Sequence, residues 1–290
     1  MKRFHRNCRR LCLLAVILVV LILFRQANVL VDTASRHAIL MDAQSGQVLA
    51  HKRANERAAP ASLTKIMTVL LAIEANKDPE EPVTLPEDVF PALSAEGASL
   101  AGFAPGETVT VRDLLYGAML PSGAECCETL ARLVSGSEED FVALMNRKAK
   151  ELGMKNTHFS NPTGLTDPEH YSSAADIATL LQAALQNETF RTVFTTRHYT
   201  STPTAQHPDG LSMTSTLLGK LDGTELPDDA QILGGKTGYT AAAGLCLASL
   251  AQVKGREYIL VTLGAPGNHA TEQTNIEDAV RVYRKLEMKK

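Results

Sequence analysis

Three short stretches of this chain place nucleophile, base and anion-binding side chains at spacings that support chemistry. The first is Ser62-Leu63-Thr64-Lys65. On a helix, positions i and i+3 share one face, so the lysine can touch the serine hydroxyl. A serine is a weak nucleophile until a base removes its proton. A lysine becomes such a base when burial or a second cation lowers its pKa. The second is Lys236-Thr237-Gly238, after the strand-like Ile232-Leu233-Gly234-Gly235. A cation and a hydroxyl on an edge strand can hold a carboxylate, and glycine lets a ligand approach the backbone. The third is Ser122-Gly123, between two helical stretches, where a second hydroxyl can relay a proton. Each also reads as ordinary structure: a helix cap, a turn, a cap.

These stretches need elements to position them. His37 to Asp42 reads as a strand, Ala43-Gln44-Ser45-Gly46 as a turn, and residues 47–51 as a second strand, together a hairpin. After Lys65 the apolar spacing is helical, so Ser62 sits near a helix N-terminus. Residues 111–120 and 124–134 read as helices on either side of Ser122. Ser137 and Ser173 read as caps of two more. Strands follow at 231–236, 244–252 and 257–264, and an amphipathic helix at 276–286. Strands, then helices, then strands predict an α+β fold. The antiparallel sheet draws on both ends of the chain, and the helical subdomain is inserted between them.

The 290 residues are 44% hydrophobic and 21% charged, which excludes general disorder and permits a large core without disulfide staples. The net charge of −3 gives no sign of nucleic-acid binding. It hides an asymmetry. Residues 1–25 hold six bases and no acid, so the remainder carries 23 bases against 32 acids, or −9. The basic start precedes an unbroken apolar run, 11–24, in the pattern of an export signal. That run spans about 21 Å as a helix, short for a hydrocarbon core of about 30 Å. Val29, Leu30 and Val31 can lengthen it. No small-x-small site follows Phe24, and Ala34 has Asp32 at the −3 position. An uncleaved anchor is therefore expected ahead of a cleaved leader, with the body exported in either case. The expected organisation is a basic tail and anchor over 1–34, then one catalytic domain over 35–290 with no further C-terminal β domain.

The five cysteines are Cys8, Cys12, Cys126, Cys127 and Cys246. Their spacing matches no metal motif. They read as small buried side chains, with a bridge from Cys246 to Cys126 or Cys127 left open by an oxidising compartment.

The order and spacing of the three stretches, 60 and then 114 residues apart, match the handful of motifs shared by serine β-lactamases and penicillin-binding proteins. The sequence resembles the low-molecular-mass penicillin-binding proteins that act as serine-type D-alanyl-D-alanine carboxypeptidases. The segments around Ser62, before Gly123, at Asn161-Pro162-Thr163-Gly164-Leu165, at 170–178 and at 234–244 carry the likeness, which covers about residues 35–288. It implies a β-lactamase/DD-peptidase-like fold. It implies Ser62 as the acylated nucleophile, Lys65 as its base and Ser122 in a proton relay. Lys236 and Thr237, with Gly238, would bind a terminal carboxylate, and the backbone N–H groups of Ser62 and Tyr239 would form the oxyanion hole. The implied substrate is a peptidoglycan stem peptide ending in D-Ala-D-Ala, with β-lactams as covalent inhibitors. No metal or other cofactor is implied.

One position departs from that pattern. The middle motif is usually S-x-N, and here Ala124 stands where the asparagine would be, with Glu125 next. This leaves a catalytically weakened penicillin-binding or wall-binding protein as an alternative. A class A-like β-lactamase is a further one. It would need a glutamate to activate water, and Glu169, in Asp167-Pro168-Glu169-His170-Tyr171, is the nearest mid-chain candidate.

Overall fold

The computed structural model describes residues 29–75, 77–224 and 226–288. The export segment, the 11–24 run, Cys8 and Cys12 lie outside them. Among the described residues no helix is long and apolar enough to cross a membrane.

The hairpin read near the start forms as β1 (His37–Asp42) and β2 (Val48–Lys52). The three late strands form as β7 (Ala230–Thr240), β8 (Gly244–Val253) and β9 (Arg256–Ala265). They make one antiparallel sheet in the order β2-β1-β9-β8-β7. The first strand pairs directly with the last, Leu40 opposite Leu260, so the sheet is closed by both ends of the chain. The α+β architecture with an inserted helical block is the one expected from the element order.

Alternation along the strands sorts side chains into two cores. Ile39, Met41, Cys246, Ala248, Leu250, Ile259 and Val261 face the helical block. Ala38, Leu40, Leu247, Ala251 and Leu260 face the C-terminal helix. The helices of the block are α1 (Lys65–Glu74), α2 (Val89–Ala95), α3 (Val111–Met119), α4 (Ala124–Ser135), α5 (Glu138–Glu151), α6 (Ala174–Ala184) and α7 (Glu188–Thr195). The C-terminal helix is α8 (Thr274–Met288). Caps start several of them as the sequence predicts. Ser137 and Ser173 accept from Asp140 N and Asp176 N. Thr110 and Asp113 form a reciprocal box. The sequence reading missed α2, α7 and the short strand pairs β3–β4 (Pro82–Thr84, Thr108–Thr110) and β5–β6 (His198–Thr200, Ser212–Thr214). These are three to eight residues long, too short to show a period.

Val29 and Leu30, read as able to lengthen the apolar run, are instead buried in the core under α8. The segment after them is tied down by the Asp278 carboxylate, which accepts from Ala34 N, Ser35 N and Ser35 Oγ at 2.7–2.8 Å. The packed body thus begins by residue 29. Cys126, Cys127 and Cys246 are buried and unbridged. The small-side-chain reading holds for all three.

Candidate active site

Ser62 lies on a single 3-10 turn, Ala61–Thr64, that runs straight into α1. The turn enters through Ala61 at φ +48, an uncommon conformation for a side-chain-bearing residue. Within it, Lys65 Nζ donates to Ser62 Oγ at 3.0 Å and to the Thr163 carbonyl at 2.7 Å. The i, i+3 spacing therefore does bring amine to hydroxyl. Lys65 is 2% exposed, and burial lowers its pKa, against the opposing pull of Cys127 and Glu125.

Ser122 sits in the break between α3 and α4, at φ +72. Such strain in a non-glycine residue persists only where the surroundings impose it. Its hydroxyl accepts from Lys236 Nζ at 2.9 Å, and Lys236 also donates to the Thr237 carbonyl at 2.7 Å. Lys236 is fully buried, and desolvation together with nearby Lys65 holds its pKa well below the usual lysine value. The Lys236-Thr237-Gly238 stretch is a strand, not a turn. It runs along β7, the sheet edge facing the 3-10 turn.

Glycine is required at two contacts with that turn. A Cβ on Gly238 would stand 2.9 Å from Ser62 N, and one on Gly164, at φ +83, would stand 2.0 Å from Ala61 O. Gly164 belongs to a loop held by Asn161, whose Oδ1 accepts from Thr163 N, Thr163 Oγ1 and Gly164 N. The loop thereby presents the carbonyl that Lys65 meets. His170 braces the turn from beneath. Its Nδ1 accepts from Ser160 N at 3.0 Å, so Nε2 carries the proton and donates to Thr64 Oγ1 at 2.8 Å. Burial lowers its pKa to about 4.

A cleft of about 490 Å³ opens over these groups, lined by Ser62, Lys65, Ala124, Gly164 and Tyr239. It adjoins a pocket of about 60 Å³ reached by Ser62, Ser122, Thr216, Thr237, Lys220 and His269. Thr216 and Thr237 hydroxyls are 2.7 Å apart. His269 packs edge-on against Tyr239 and lines both spaces. A larger groove, about 830 Å³, runs along α8 and contains none of the serine or lysine residues named above as chemical candidates. Sequence reasoning placed Ser62, Lys65, Ser122, Lys236, Thr237, Gly238 and Tyr239 in one site, and the structure brings all seven to it. It missed Thr216, Lys220 and His269, which carry no motif and arrive only through tertiary packing.

Ala124 lines the cleft but is 1% exposed and packs against Val89 and Leu93. Glu125 does not turn toward Ser62. Its Oε1 accepts from Ala101 N at 2.6 Å and Gly102 N at 3.0 Å, which fixes the chain beside the cleft wall. Glu169 is exposed and lines neither the cleft nor the pocket beside it. That position does not suit a water-activating base.

Chemically, the arrangement offers a hydroxyl with an adjacent desolvated amine, a second hydroxyl on a second amine, and paired threonine hydroxyls on a sheet edge. It fits attack on a carbonyl next to a carboxylate.

Comparison with known proteins agrees with this geometry. The chain is 38% identical over 231 residues to D-alanyl-D-alanine carboxypeptidase DacF of Bacillus subtilis, covering 80% of this chain and 57% of that protein. It is 32% identical over 244 residues to the D-alanyl-D-alanine carboxypeptidase of Streptomyces sp. strain K15, covering 80% and 81%. It spans 56–59% of the length of three of its curated relatives. The crystal structure of the Streptomyces K15 DD-transpeptidase superposes with a TM-score of 0.77 at 29% identity, over 87% of this chain and 97% of that one. A D-alanyl-D-alanine carboxypeptidase structure from Mycobacterium tuberculosis gives 0.75 at 27%, over 89% and 93%. The family model described as D-alanyl-D-alanine carboxypeptidase matches residues 24–267. With that span of sequence, the shared fold and the serine–lysine geometry in agreement, the chain belongs to the Peptidase_S11 family.

Proposed function

We propose that this protein is a serine-type D-alanyl-D-alanine carboxypeptidase that removes the terminal D-alanine from peptidoglycan stem peptides and is acylated by β-lactams. The observation that carries the reading is Lys65. It is buried, shifted toward the neutral amine, and within hydrogen-bond reach of Ser62 Oγ.

Lys65 Nζ takes the Ser62 proton as Oγ attacks the carbonyl of the penultimate D-alanine. The backbone N–H groups of Ser62 and Tyr239 receive the developing oxyanion, a contribution of roughly 3 kcal/mol per donor. Ser122 passes its hydroxyl proton to the departing D-alanine amine and is reprotonated by Lys65, so that the Ser62 proton ends on the leaving group and Lys65 is again neutral. Thr237, with Thr216 beside it, and the Lys236 amine behind them hold the terminal carboxylate, with Gly238 leaving room for the peptide. Water then releases the shortened peptide from Ser62. No metal or other cofactor has a step in this sequence.

The proposed organisation is a basic tail and anchor ahead of residue 29 and a catalytic body from residue 29 onward, the boundary of 34 expected from the sequence being moved by the burial of Val29 and Leu30. The catalytic body would act outside the cytoplasm, held at the membrane by the N-terminal segment or freed by its cleavage. The proposed partners are the stem peptide, β-lactams and the membrane, and no nucleic acid.

The test is incubation of the full chain with a fluorescent penicillin, intact-mass analysis, and D-alanine release from diacetyl-Lys-D-Ala-D-Ala, with Ser62→Ala as control. A Ser62-dependent adduct together with D-alanine release is expected. An adduct without release favours the weakened, penicillin-binding alternative that Ala124 raises. No adduct overturns the enzyme reading.

A further inference from the structure

Among the described residues, three buried side-chain atoms have no hydrogen-bond partner: Glu125 Oε2, Thr262 Oγ1 and Asn275 Oδ1. Leaving a buried acceptor unpaired is costly, so such an atom marks either strain or a place where a small donor belongs. Of the three residues, Asn275 alone lines a space over Ser62. It lies on the first turn of α8, is 1% exposed, and lines the pocket of about 60 Å³ that Ser62, Ser122, Thr237 and Gly238 also reach. Its Nδ2 is committed to the protein, donating to the Cys246 carbonyl at 2.9 Å. Cys246 stands opposite Gly238 in the β7–β8 pair, at the irregularity between Leu245 and Leu247 where β8 slips against β9. That bond fixes the amide behind the strand that touches Ser62, and Oδ1 is left as an acceptor with capacity to spare. The pocket is polar, and its volume exceeds the roughly 10–15 Å³ of accessible space that one water needs.

We propose that Asn275 Oδ1 holds the water that hydrolyses the acyl-enzyme. The inference rests on the carboxypeptidase reading and supplies a residue for its second half-reaction. Once D-alanine has left, the pocket beside Ser122 and Thr237 opens to water, on the side of the Ser62 ester from which the amine departed. The water oxygen bonds to the ester carbonyl carbon, and its proton passes by way of Ser122 to neutral Lys65, the acylation relay in reverse. The bond from Ser62 Oγ to that carbon then breaks. Lys65 returns the proton to Oγ, and the shortened peptide leaves as its acid. Asn275 accepts the water's other hydrogen and exchanges no proton. Its effect is orientation, a nucleophile held in place instead of one drawn from bulk solvent.

The test gives the full chain a thioester analogue of diacetyl-Lys-D-Ala-D-Ala, with sulfur in place of the scissile nitrogen, and hydroxylamine in excess as a second nucleophile that needs no held site. The acyl-enzyme then partitions between the acid and the hydroxamate. In Asn275→Ala the acid-to-hydroxamate ratio is expected to fall about tenfold, the scale of one hydrogen bond. General damage to the site slows both products alike, so an unchanged ratio overturns the assignment. Asn275→Asp keeps an oxygen acceptor and loses the donor to Cys246. Its ratio is expected within about twofold of native, and a ratio as low as that of Asn275→Ala overturns the assignment by placing the effect in the Cys246 bond. Penicillin adduct formation reports whether each variant is folded. If either is not, a crystal structure of the native protein decides. A water within about 3 Å of Asn275 Oδ1 in the pocket is expected, and a protein donor in its place overturns the assignment. D-alanine release from the parent peptide by the native chain is the separate control. Its absence overturns the carboxypeptidase reading and the water assignment together, whereas release with an unchanged ratio overturns the water assignment alone.

Discussion

Lys236 Nζ donates to Ser122 Oγ across 2.9 Å, joining a sheet-edge strand to the break between two helices 114 residues earlier. This one bond fixes the hydroxyl of the proposed proton relay between the two halves of the site. Ser122→Ala removes the relay and leaves Lys236 only the Thr237 carbonyl. Penicillin acylation is expected to slow by about 10²–10⁴-fold, the range for a lost acid–base group. Stopped-flow acylation measures it. A near-native rate would remove Ser122 from the chemistry.

The two glycines against the 3-10 turn are expected to behave differently from glycines in open space. Gly238→Ala crowds Ser62 N and should cut acylation by about 10²–10³-fold, the cost of losing an oxyanion donor. Gly164→Ala meets the Ala61 carbonyl and should destabilise the fold by about 1–3 kcal/mol or more. Gly153 also has positive φ but nothing within 4 Å, so Gly153→Ala should cost about 1 kcal/mol and keep full acylation. Thermal unfolding and acylation rates on the three variants give the comparison. Equal behaviour would mean the contacts do not matter.

The lowered pKa of Lys65 sets the pH dependence of acylation. The neutral amine is the base, so the rate should fall as pH drops, and the rising limb should lie below the ordinary lysine value of 10.5. Lys65→Arg cannot lose its proton and should reduce acylation by about 10²–10⁴-fold at every pH. A rate profile from pH 5 to 10 tests this, and a limb that survives in Lys65→Arg would assign it to another group.

His170 makes a stability prediction of definite sign. Its folded pKa, about 4, lies below the ordinary 6.5, so the unfolded chain binds the extra proton first. Its contribution is complete above pH 6.5 and is lost as pH falls toward 4, by at most about 3 kcal/mol. Urea unfolding of native and His170→Asn protein at pH 7.5 and 4.5 should show a flatter pH dependence in the variant. Identical slopes would contradict it.

Ala124 lines the cleft beside Ser62 and Lys65 with only a methyl group. Ala124→Asn adds an amide there, and one hydrogen bond to substrate, about 1–1.5 kcal/mol, should raise kcat/KM for diacetyl-Lys-D-Ala-D-Ala roughly five- to tenfold. A drop in rate with a lower melting temperature would show that the contacts with Val89 and Leu93 leave no room for it.

The sequence by itself determined the local geometry of this protein. The i, i+3 step from Ser62 to Lys65, the caps at Ser137 and Ser173, and the long strands near both ends follow from helical and strand periodicity, which act over a few residues. The α+β architecture followed from their order. The tertiary structure alone decided which distant groups meet. The pairing of β1 with β9 and the packing of the 3-10 turn against β7 carry Lys236 to Ser122 and Gly238 to Ser62 N. They also bring Thr216, Lys220 and His269 to the small pocket beside the cleft, with no motif to announce them. Burial is likewise a property of the whole. Only packing reveals that Lys65 is desolvated and that Glu125 turns away to hold Ala101 and Gly102. Desolvation and long-range contact depend on every element that closes around a residue, and a stretch of sequence contains only its neighbours.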